Sequence, residues 1–185
     1  MPRQAGVSAT YKRSNVTLAQ LNAVDEPLFI AAVGPVFEHS PWIAAGASKR
    51  RPFADAQALH SAFCAVIDEA STEQRVALIA AHPDLAGRVA REGRLTPASR
   101  GEQASAGLDE LTPTERSLFD VLNAAYRARF AFPFVICARE HSKASILSEV
   151  TRRAGHDREV EIVAAIDEIK KIAWLRLSDV LVENE

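Results

Sequence analysis

Hydrophobic residues recur at helical spacing along almost the whole chain. In the C-terminal segment the apolar positions follow one another in steps of 4, 3, 4, 4 and 3 residues: Ile162, Ile166, Ile169, Ala173, Leu177 and Val180. Such steps place a continuous apolar stripe on one face of an α-helix. A second run, formed by Leu59, Phe63, Val66 and Ile67, predicts another amphipathic helix that begins at Asp55. The pattern therefore predicts an all-α protein built as a single compact multi-helix domain.

Capping residues mark where several of these helices begin. Thr96-Pro97 and Thr112-Pro113 each pair an N-cap residue with a proline that suits the first helical position. Ser71 and Gln74 fit a capping box, and the helix that they open should break near His82, because Pro83 disfavours helical backbone in the residue before it. Further helices are expected from Thr17 to Val24, after Asp25, over Asp84–Ala90 and in "SKASILSEVTRRAG".

Two stretches lack a helical pattern. We expect "EHSPWIAAGASKRRPF" to be irregular and "RFAFPFVICA", with its aromatic and β-branched residues, to be extended. No internal repeat or linker divides the chain. We assign residues 1–16 to an N-terminal extension and residues 17–185 to one helical domain, whose size allows it to bury roughly 70% of its unfolded surface.

Composition and charge exclude several classes of function. The formal net charge of −2 argues against a nucleic-acid-binding surface. With no signal peptide, no long apolar run and no C-x-x-C spacing between the two cysteines, we expect a cytoplasmic protein without a membrane partner. Because the sequence has no H-E-x-x-H, no glycine-rich phosphate loop and no G-x-S-x-G, we predict neither a metal nor a cofactor.

His82 is the first candidate for chemistry. It follows the apolar run "VALIAA" and is held at the predicted helix end by Pro83. An imidazole can give or take a proton near neutral pH. A histidine in this setting is either a core or capping residue or a placed acid or base.

A second candidate is the segment "SRGEQASAGL". Ser99, Glu102 and Gln103 lie at i, i+3 and i+4, so on a helix a hydroxyl, a carboxylate and a carboxamide point the same way. They could bind a ligand rich in N–H and C=O groups. Ser99 and Glu102 also fit a capping box, which would need no ligand.

Two further features leave alternatives open. The extended "FAFPFVICA" needs partners for its backbone N–H and C=O groups, and either a ligand or neighbouring core residues could supply them. Arg176 lies at the border of the C-terminal apolar stripe. It could reach solvent, pair with a carboxylate of the protein, or bind a carboxylate ligand bidentately.

Taken together, the motifs resemble one family. "FEHSPWIA", "RPF", "AAHPDLAGR", "SRGEQASAGL", "LNAAYRARFAFPFV" and "EIKKIAWLRLSDV" occur in this order. They are similar to the segments of 2-oxo-4-hydroxy-4-carboxy-5-ureidoimidazoline (OHCU) decarboxylases of urate degradation. One departure is Ala131, where the family commonly has a glycine, a residue that adopts positive φ more readily.

The resemblance implies a fold, an activity and a set of site residues. It implies an all-helical homodimer that converts OHCU to (S)-allantoin and carbon dioxide without a cofactor. It implies that His82 is the catalytic acid. From the chemistry of the carboxylate we also expect Glu102 to anchor the ureido group, so both are predicted catalytic residues. The substrate-binding residues that it implies are Pro83, Ser99, Arg100, Gly101, Gln103, Phe134, Val135, Ile136, Cys137, Ala138 and Arg176.

The predicted chemistry suits these residue types. Loss of carbon dioxide leaves electron density that the neighbouring C=N bond of the substrate can accept, and a fixed imidazolium can then protonate one face. Two alternatives remain at this point. One is an acid–base enzyme acting on a related ureide, and the other is a helical binding module in which His82 only caps a helix.

Overall fold

The computed structural model describes residues 16–182 and is helical through most of that range. The predicted extension therefore lies outside the described residues, apart from Val16. The helices are α1 (Leu18–Ala23), α2 (Glu26–Val33), α3 (Trp42–Ser48), α4 (Ala56–Asp68), α5 (Thr72–Ala80), α6 (Arg88–Arg91), α7 (Pro97–Ser105), α8 (Pro113–Phe130), α9 (Lys143–Arg153) and α10 (Arg158–Val180). Short 3-10 turns span Gly34–Val36 and Ala138–Glu140.

Two very short strands bring the ends of the described chain together. β1 (Val16–Thr17) pairs in parallel with β2 (Leu181–Val182), in the register Val16 to Leu181. This small sheet does not change the predicted fold class, because each of its strands is only two residues long and the other regular elements are helical. The all-α prediction is confirmed.

Helix α10 forms the centre of the fold. It packs against α4, α5 and the first 3-10 turn. The predicted apolar stripe is buried at Ile162, Ile166, Ile169, Ala173 and Leu177, whereas Val180 is half-buried. No helix within residues 16–182 is long and apolar enough to cross a lipid bilayer.

The predicted caps are present. Side chains of Asp25, Asp55 and Thr96 each accept a hydrogen bond from the backbone N–H three residues on. Complete capping boxes begin α1 at Thr17, α5 at Ser71 and α8 at Thr112. Local capping hydrogen bonds therefore stabilise these helix starts.

Two expectations about local structure are wrong. The stretch 38–53, expected to be irregular, contains α3, which packs closely against α4 because Gly46 has no side chain: a Cβ there would lie 2.8 Å from Val66 Cγ1. The short helix expected at Asp84–Ala90 instead covers Arg88–Arg91. The residues before it form a tight loop, in which Ala86 adopts a φ of 53°.

Candidate active site

A cavity of about 340 Å³, including its open mouth, lies between the end of α5, helix α7, the segment after α8, and α10. Only about 30 Å³ of it can hold the centre of a water-sized group, so the cavity is narrow in this structure. Its walls are His82, Pro83, Leu85, Ser99, Glu102, Gln103, Phe134, Val135, Ile136, Ala138, Ile172 and Arg176. The fold thus brings together most of the residues predicted for the site, from four separate parts of the chain.

The end of α5 fixes the orientation of the His82 ring. His82 is 7% exposed, and its Nδ1 lies 3.0 Å from the carbonyl oxygen of Leu78, four residues earlier. Because a carbonyl can only accept, Nδ1 carries the hydrogen and Nε2 presents a lone pair. Nε2 has no hydrogen-bond partner among residues 16–182. The ring is therefore capped at one nitrogen and open for chemistry at the other.

The surroundings of His82 favour the neutral imidazole. Burial is the largest influence and lowers its pKa, and the positive charge of Arg176 acts in the same direction. The hydrogen bond to Leu78 and the negative charges of Glu38 and Glu102 oppose this shift without cancelling it. The structure without substrate therefore favours His82 as a base at neutral pH, a protonation state that the sequence left open.

Arg176 is fully occupied by protein groups. Its Nε donates to Glu102 Oε1 at 2.6 Å, and its Nη2 donates to Glu102 Oε2 at 2.7 Å and to Ser99 Oγ at 3.2 Å. Its Nη1 donates to Glu38 Oε2 at 2.9 Å and to the Val36 carbonyl at 3.3 Å. Since a guanidinium has five N–H groups, none is left for a ligand. Of the three possibilities for Arg176, the ion pair within the protein is the one observed.

Glu38 is the functional candidate that the sequence analysis missed. It is buried, and its Oε1 accepts hydrogen bonds from Thr96 Oγ1 at 3.0 Å and Ser99 Oγ at 3.1 Å. Burial alone would raise its pKa, but the adjacent Arg176 more than offsets this and holds the pKa below its ordinary value. The motif "FEHSPWIA" contains Glu38, yet nothing in its spacing links it to residues sixty or more positions away.

Gln103 joins α7 to the loop that follows His82. Its Oε1 accepts a hydrogen bond of 2.9 Å from the backbone N–H of Ala86. Its side-chain amide nitrogen has no hydrogen-bond partner among residues 16–182, and the residue lines the cavity. Gln103 therefore offers a ligand hydrogen-bond donors, while its carbonyl holds the loop.

The segment after α8 is supported from behind by two long side chains. Arg153 Nη1 donates to the Val135 carbonyl at 2.9 Å, and Glu168 Oε2 accepts from the Cys137 N–H at 2.8 Å. The N–H and C=O of Ile136, which lies between them and lines the cavity, have no partner within the described chain. Both alternatives for this segment thus contribute: neighbours satisfy one side, and the other side can meet a ligand.

Three predicted substrate-binding residues do not line this cavity. Arg100 and Gly101 lie on the outer face of α7, away from the face formed by Ser99, Glu102 and Gln103, as helical geometry requires. Arg100 Nη2 donates instead to the Gly93 carbonyl at 2.9 Å. Cys137 is buried behind the segment, where burial raises the pKa of its thiol to about 11.

Two apolar residues complete the cavity although they were not predicted. Leu85 follows the Pro83 turn and Ile172 lies on α10. From sequence alone, aliphatic residues in such positions cannot be distinguished from ordinary core residues. Within residues 16–182, no group of three or more His, Cys, Asp or Glu side chains is placed to hold a metal ion.

Comparison with known proteins identifies the family. The sequence model described as OHCU decarboxylase matches residues 22–178. The chain belongs to the OHCU decarboxylase family. It is 40% identical over 164 residues to the 2-oxo-4-hydroxy-4-carboxy-5-ureidoimidazoline decarboxylase of Haloferax volcanii, which covers 89% of this chain and 95% of that protein.

Solved structures agree with the family assignment. A crystal structure of (S)-allantoin synthase superposes with a TM-score of 0.73 at 27% identity, over 90% of this chain and 54% of that chain. A crystal structure of OHCU decarboxylase in the presence of (S)-allantoin has a TM-score of 0.64 at 21% identity and covers 84% of this chain and 96% of that chain. The second likeness supports the fold alone.

Proposed function

We propose that this protein decarboxylates OHCU to (S)-allantoin, with His82 as the acid–base residue. The observation that carries the proposal is the His82 ring: its Nδ1 is held by the Leu78 carbonyl, its Nε2 has no hydrogen-bond partner among residues 16–182, and the residue lines a cavity together with Glu102. The family to which the chain belongs, and the name of the relative from Haloferax volcanii, supply the substrate.

The reaction requires a proton at one defined position. The bond between the ring carbon and its carboxylate breaks, carbon dioxide leaves, and the electron pair moves into the neighbouring C=N bond. The hydroxyl on that carbon then loses its proton to become the carbonyl of allantoin, while the ring nitrogen and the adjacent carbon each gain one. One proton is consumed overall. A single imidazole can accept the hydroxyl proton and deliver it to one face of the adjacent carbon.

The charges of the site favour proton uptake when substrate binds. Glu38 and Glu102 share the single positive charge of Arg176, so the site with neutral His82 carries a net negative charge. The carboxylate of OHCU adds another negative charge beside His82. Because nearby negative charge favours the imidazolium, substrate binding should raise the pKa of His82 and load the proton that the reaction needs.

The contacts suggest how OHCU is oriented. The ureido and ring amide groups can donate to Glu102 and meet the amide of Gln103 and the backbone of Ile136. Arg176 has no free N–H for the carboxylate, which instead meets the apolar residues Leu85 and Ile172. A carboxylate held weakly in its ground state gains more on becoming neutral carbon dioxide.

The direct test supplies OHCU, made in place by urate oxidase and hydroxyisourate hydrolase, and follows the product by circular dichroism. With the protein present, we expect (S)-allantoin to form much faster than by spontaneous decay, and as one enantiomer. Spontaneous rates and racemic product would reject the proposed function.

The family resemblance also leads us to propose a homodimer in the cytoplasm. Light scattering coupled to size exclusion tests the first part, since it gives a mass for the purified chain. A mass of a single chain at micromolar concentration would contradict the dimer.

A further inference from the structure

We propose that Glu38 is a positioning residue of the reaction: it holds Arg176 in place and supplies a fixed negative charge that favours proton uptake by His82 when substrate binds. The inference rests on the proposed function. Glu38 is not among the residues that line the cavity next to Glu102, so it acts on the substrate only through its neighbours.

The contacts of Glu38 hold its carboxylate in one orientation. Its two oxygens accept from three side chains, Thr96 and Ser99 on one oxygen and Arg176 on the other, at 3.0, 3.1 and 2.9 Å. Only 4% of its side-chain surface is exposed, so its charge is weakly screened by solvent. Ser99 also accepts from Arg176, which closes a ring of contacts between the 3-10 turn region, α7 and α10.

Glu38 and His82 also meet at a second cavity. This cavity, of about 650 Å³ with its open mouth, lies beside the first and shares His82 and Pro83 with it. Glu38 lines only the second cavity and Glu102 only the first. His82 therefore lines both cavities, with Glu102 on the wall of the first and Glu38 and Asp84 on the wall of the second.

Other charged groups in the same region are largely neutralised in pairs. Arg127 pairs with Asp84 at 2.8 Å, and Arg94 pairs with Glu92. The titratable and charged groups around His82 are Glu38 and His39 from the chain before α3, Asp84 in the loop after Pro83, Arg94 before α7, Glu102 on α7, Arg127 on α8 and Arg176 on α10. The negative charges of Glu38 and Glu102 both raise the pKa of His82.

Because of these positions, Glu102 and Glu38 have different roles. Glu102 can change its contacts when substrate arrives, because 13% of its side chain is exposed at the cavity. Glu38 is sealed and keeps its charge through the reaction. Without Glu38, Glu102 would be the one carboxylate left on Arg176, and the positive charge of Arg176 would disfavour the imidazolium more strongly.

The test is the Glu38→Gln variant, in which a carboxamide of the same shape replaces the charge. Its carbonyl can accept from Arg176 while its amide donates to Thr96 and Ser99, whose hydroxyls can rotate. We expect the pKa of His82, followed by NMR with labelled histidine in the protein without substrate, to fall by about 1 unit. Assignment of the signal comes from its loss in His82→Asn.

The turnover number kcat should fall together with the pKa of His82. We expect kcat near pH 7.5 to fall about tenfold, because each unit of pKa below the working pH lowers the protonated fraction tenfold. The high-pH limb of the kcat profile should move to lower pH while KM stays within about threefold. The matched control is Glu161→Gln, a buried carboxylate outside both cavities, which should leave the His82 titration in place.

The outcomes separate the two proposals. If wild type does not turn over OHCU but Glu38→Gln still shifts the His82 titration, the proposed function fails and the charge role of Glu38 stands. An unmoved titration with an unmoved kcat limb overturns the inference even in an active enzyme. If Glu38→Gln does not fold, Glu38→Asp keeps the charge on a shorter arm: it should lower kcat while the titration stays close to wild type, and full kcat would overturn the inference.

Discussion

Within residues 16–182, Arg176 and Arg153 each form a buried cluster with glutamate, and the Arg176 cluster borders the cavity of the candidate site. In the first, Arg176 holds Glu102 and Glu38. In the second, Arg153 holds Glu161, which also accepts hydrogen bonds from Tyr126 and contacts His156 at 2.9 Å. Both arginines are at most 5% exposed.

The two clusters differ in whether a polar group remains accessible to a ligand. Glu161 is completely buried, and Arg153 uses its remaining donor on the Val135 carbonyl and stacks over Phe134 at 4.6 Å. The Arg176 cluster instead presents Glu102 to a cavity next to the free Nε2 of His82. Buried charge therefore does not identify an active site by itself. The Arg176 cluster is our candidate because His82, with an unpartnered Nε2, lines the same cavity.

The largest expected effect on stability is at the Arg153–Glu161 cluster. Arg153→Met leaves the charge of Glu161 buried without its arginine, and we expect a loss of about 3–5 kcal/mol in the free energy of unfolding, measured by urea denaturation. The control is Arg152→Met in the next position, where an exposed pair with Glu149 is lost. That change should cost about 1 kcal/mol or less. Equal losses in the free energy of unfolding would show that the buried and the exposed ion pair do not differ.

Glu102→Gln and Glu161→Gln apply the same isosteric change to the two clusters. At Glu102 we expect kcat/KM to fall by roughly 10- to 100-fold, since a charged hydrogen bond to substrate contributes about 1.5–3 kcal/mol, with a melting temperature close to wild type. At Glu161 we expect the reverse, a lower melting temperature with turnover largely kept by the folded enzyme. A Glu102→Gln enzyme with unchanged kcat and KM would show that Glu102 does not anchor the substrate.

The smallest expected effect comes from the connection between α8 and the segment that lines the cavity. Ala131 ends α8 with a φ of 63°, in the left-handed region where an alanine is strained. Ala131→Gly should raise the free energy of unfolding by roughly 1 kcal/mol. The matched change Ala128→Gly, at an exposed position inside α8, should lower it by about the same amount. A loss of stability in both variants would contradict the strain at Ala131.

Local signals made most of the fold predictable. The α10 stripe and the caps at Thr96 and Thr112 are encoded within a few residues of where they act, and the structure shows them as expected. Helix α3 was missed because Gly46 disfavours a helix locally, while its close packing on Val66 requires it. That second constraint comes from tertiary contact.

The candidate site was also predictable where the signal is local, and it was not predictable where the signal depends on tertiary contact. The spacing of Ser99, Glu102 and Gln103 placed three side chains on one face of α7, and all three line the cavity. Arg100 and Gly101 were included by the resemblance, but the helical period turns them outward. Glu38 could not be found from spacing, because only the folded chain brings it to Arg176 across 138 residues.

The central claim, that His82 is the acid–base residue at the cavity edge, is tested most directly by His82→Asn. The amide of asparagine can still donate to the Leu78 carbonyl, so the cap can survive while the titratable nitrogen is lost. Turnover of OHCU should fall by about 10²- to 10⁴-fold in a protein whose circular dichroism spectrum and melting temperature match wild type. A folded His82→Asn protein that forms (S)-allantoin at the wild-type rate would contradict the account.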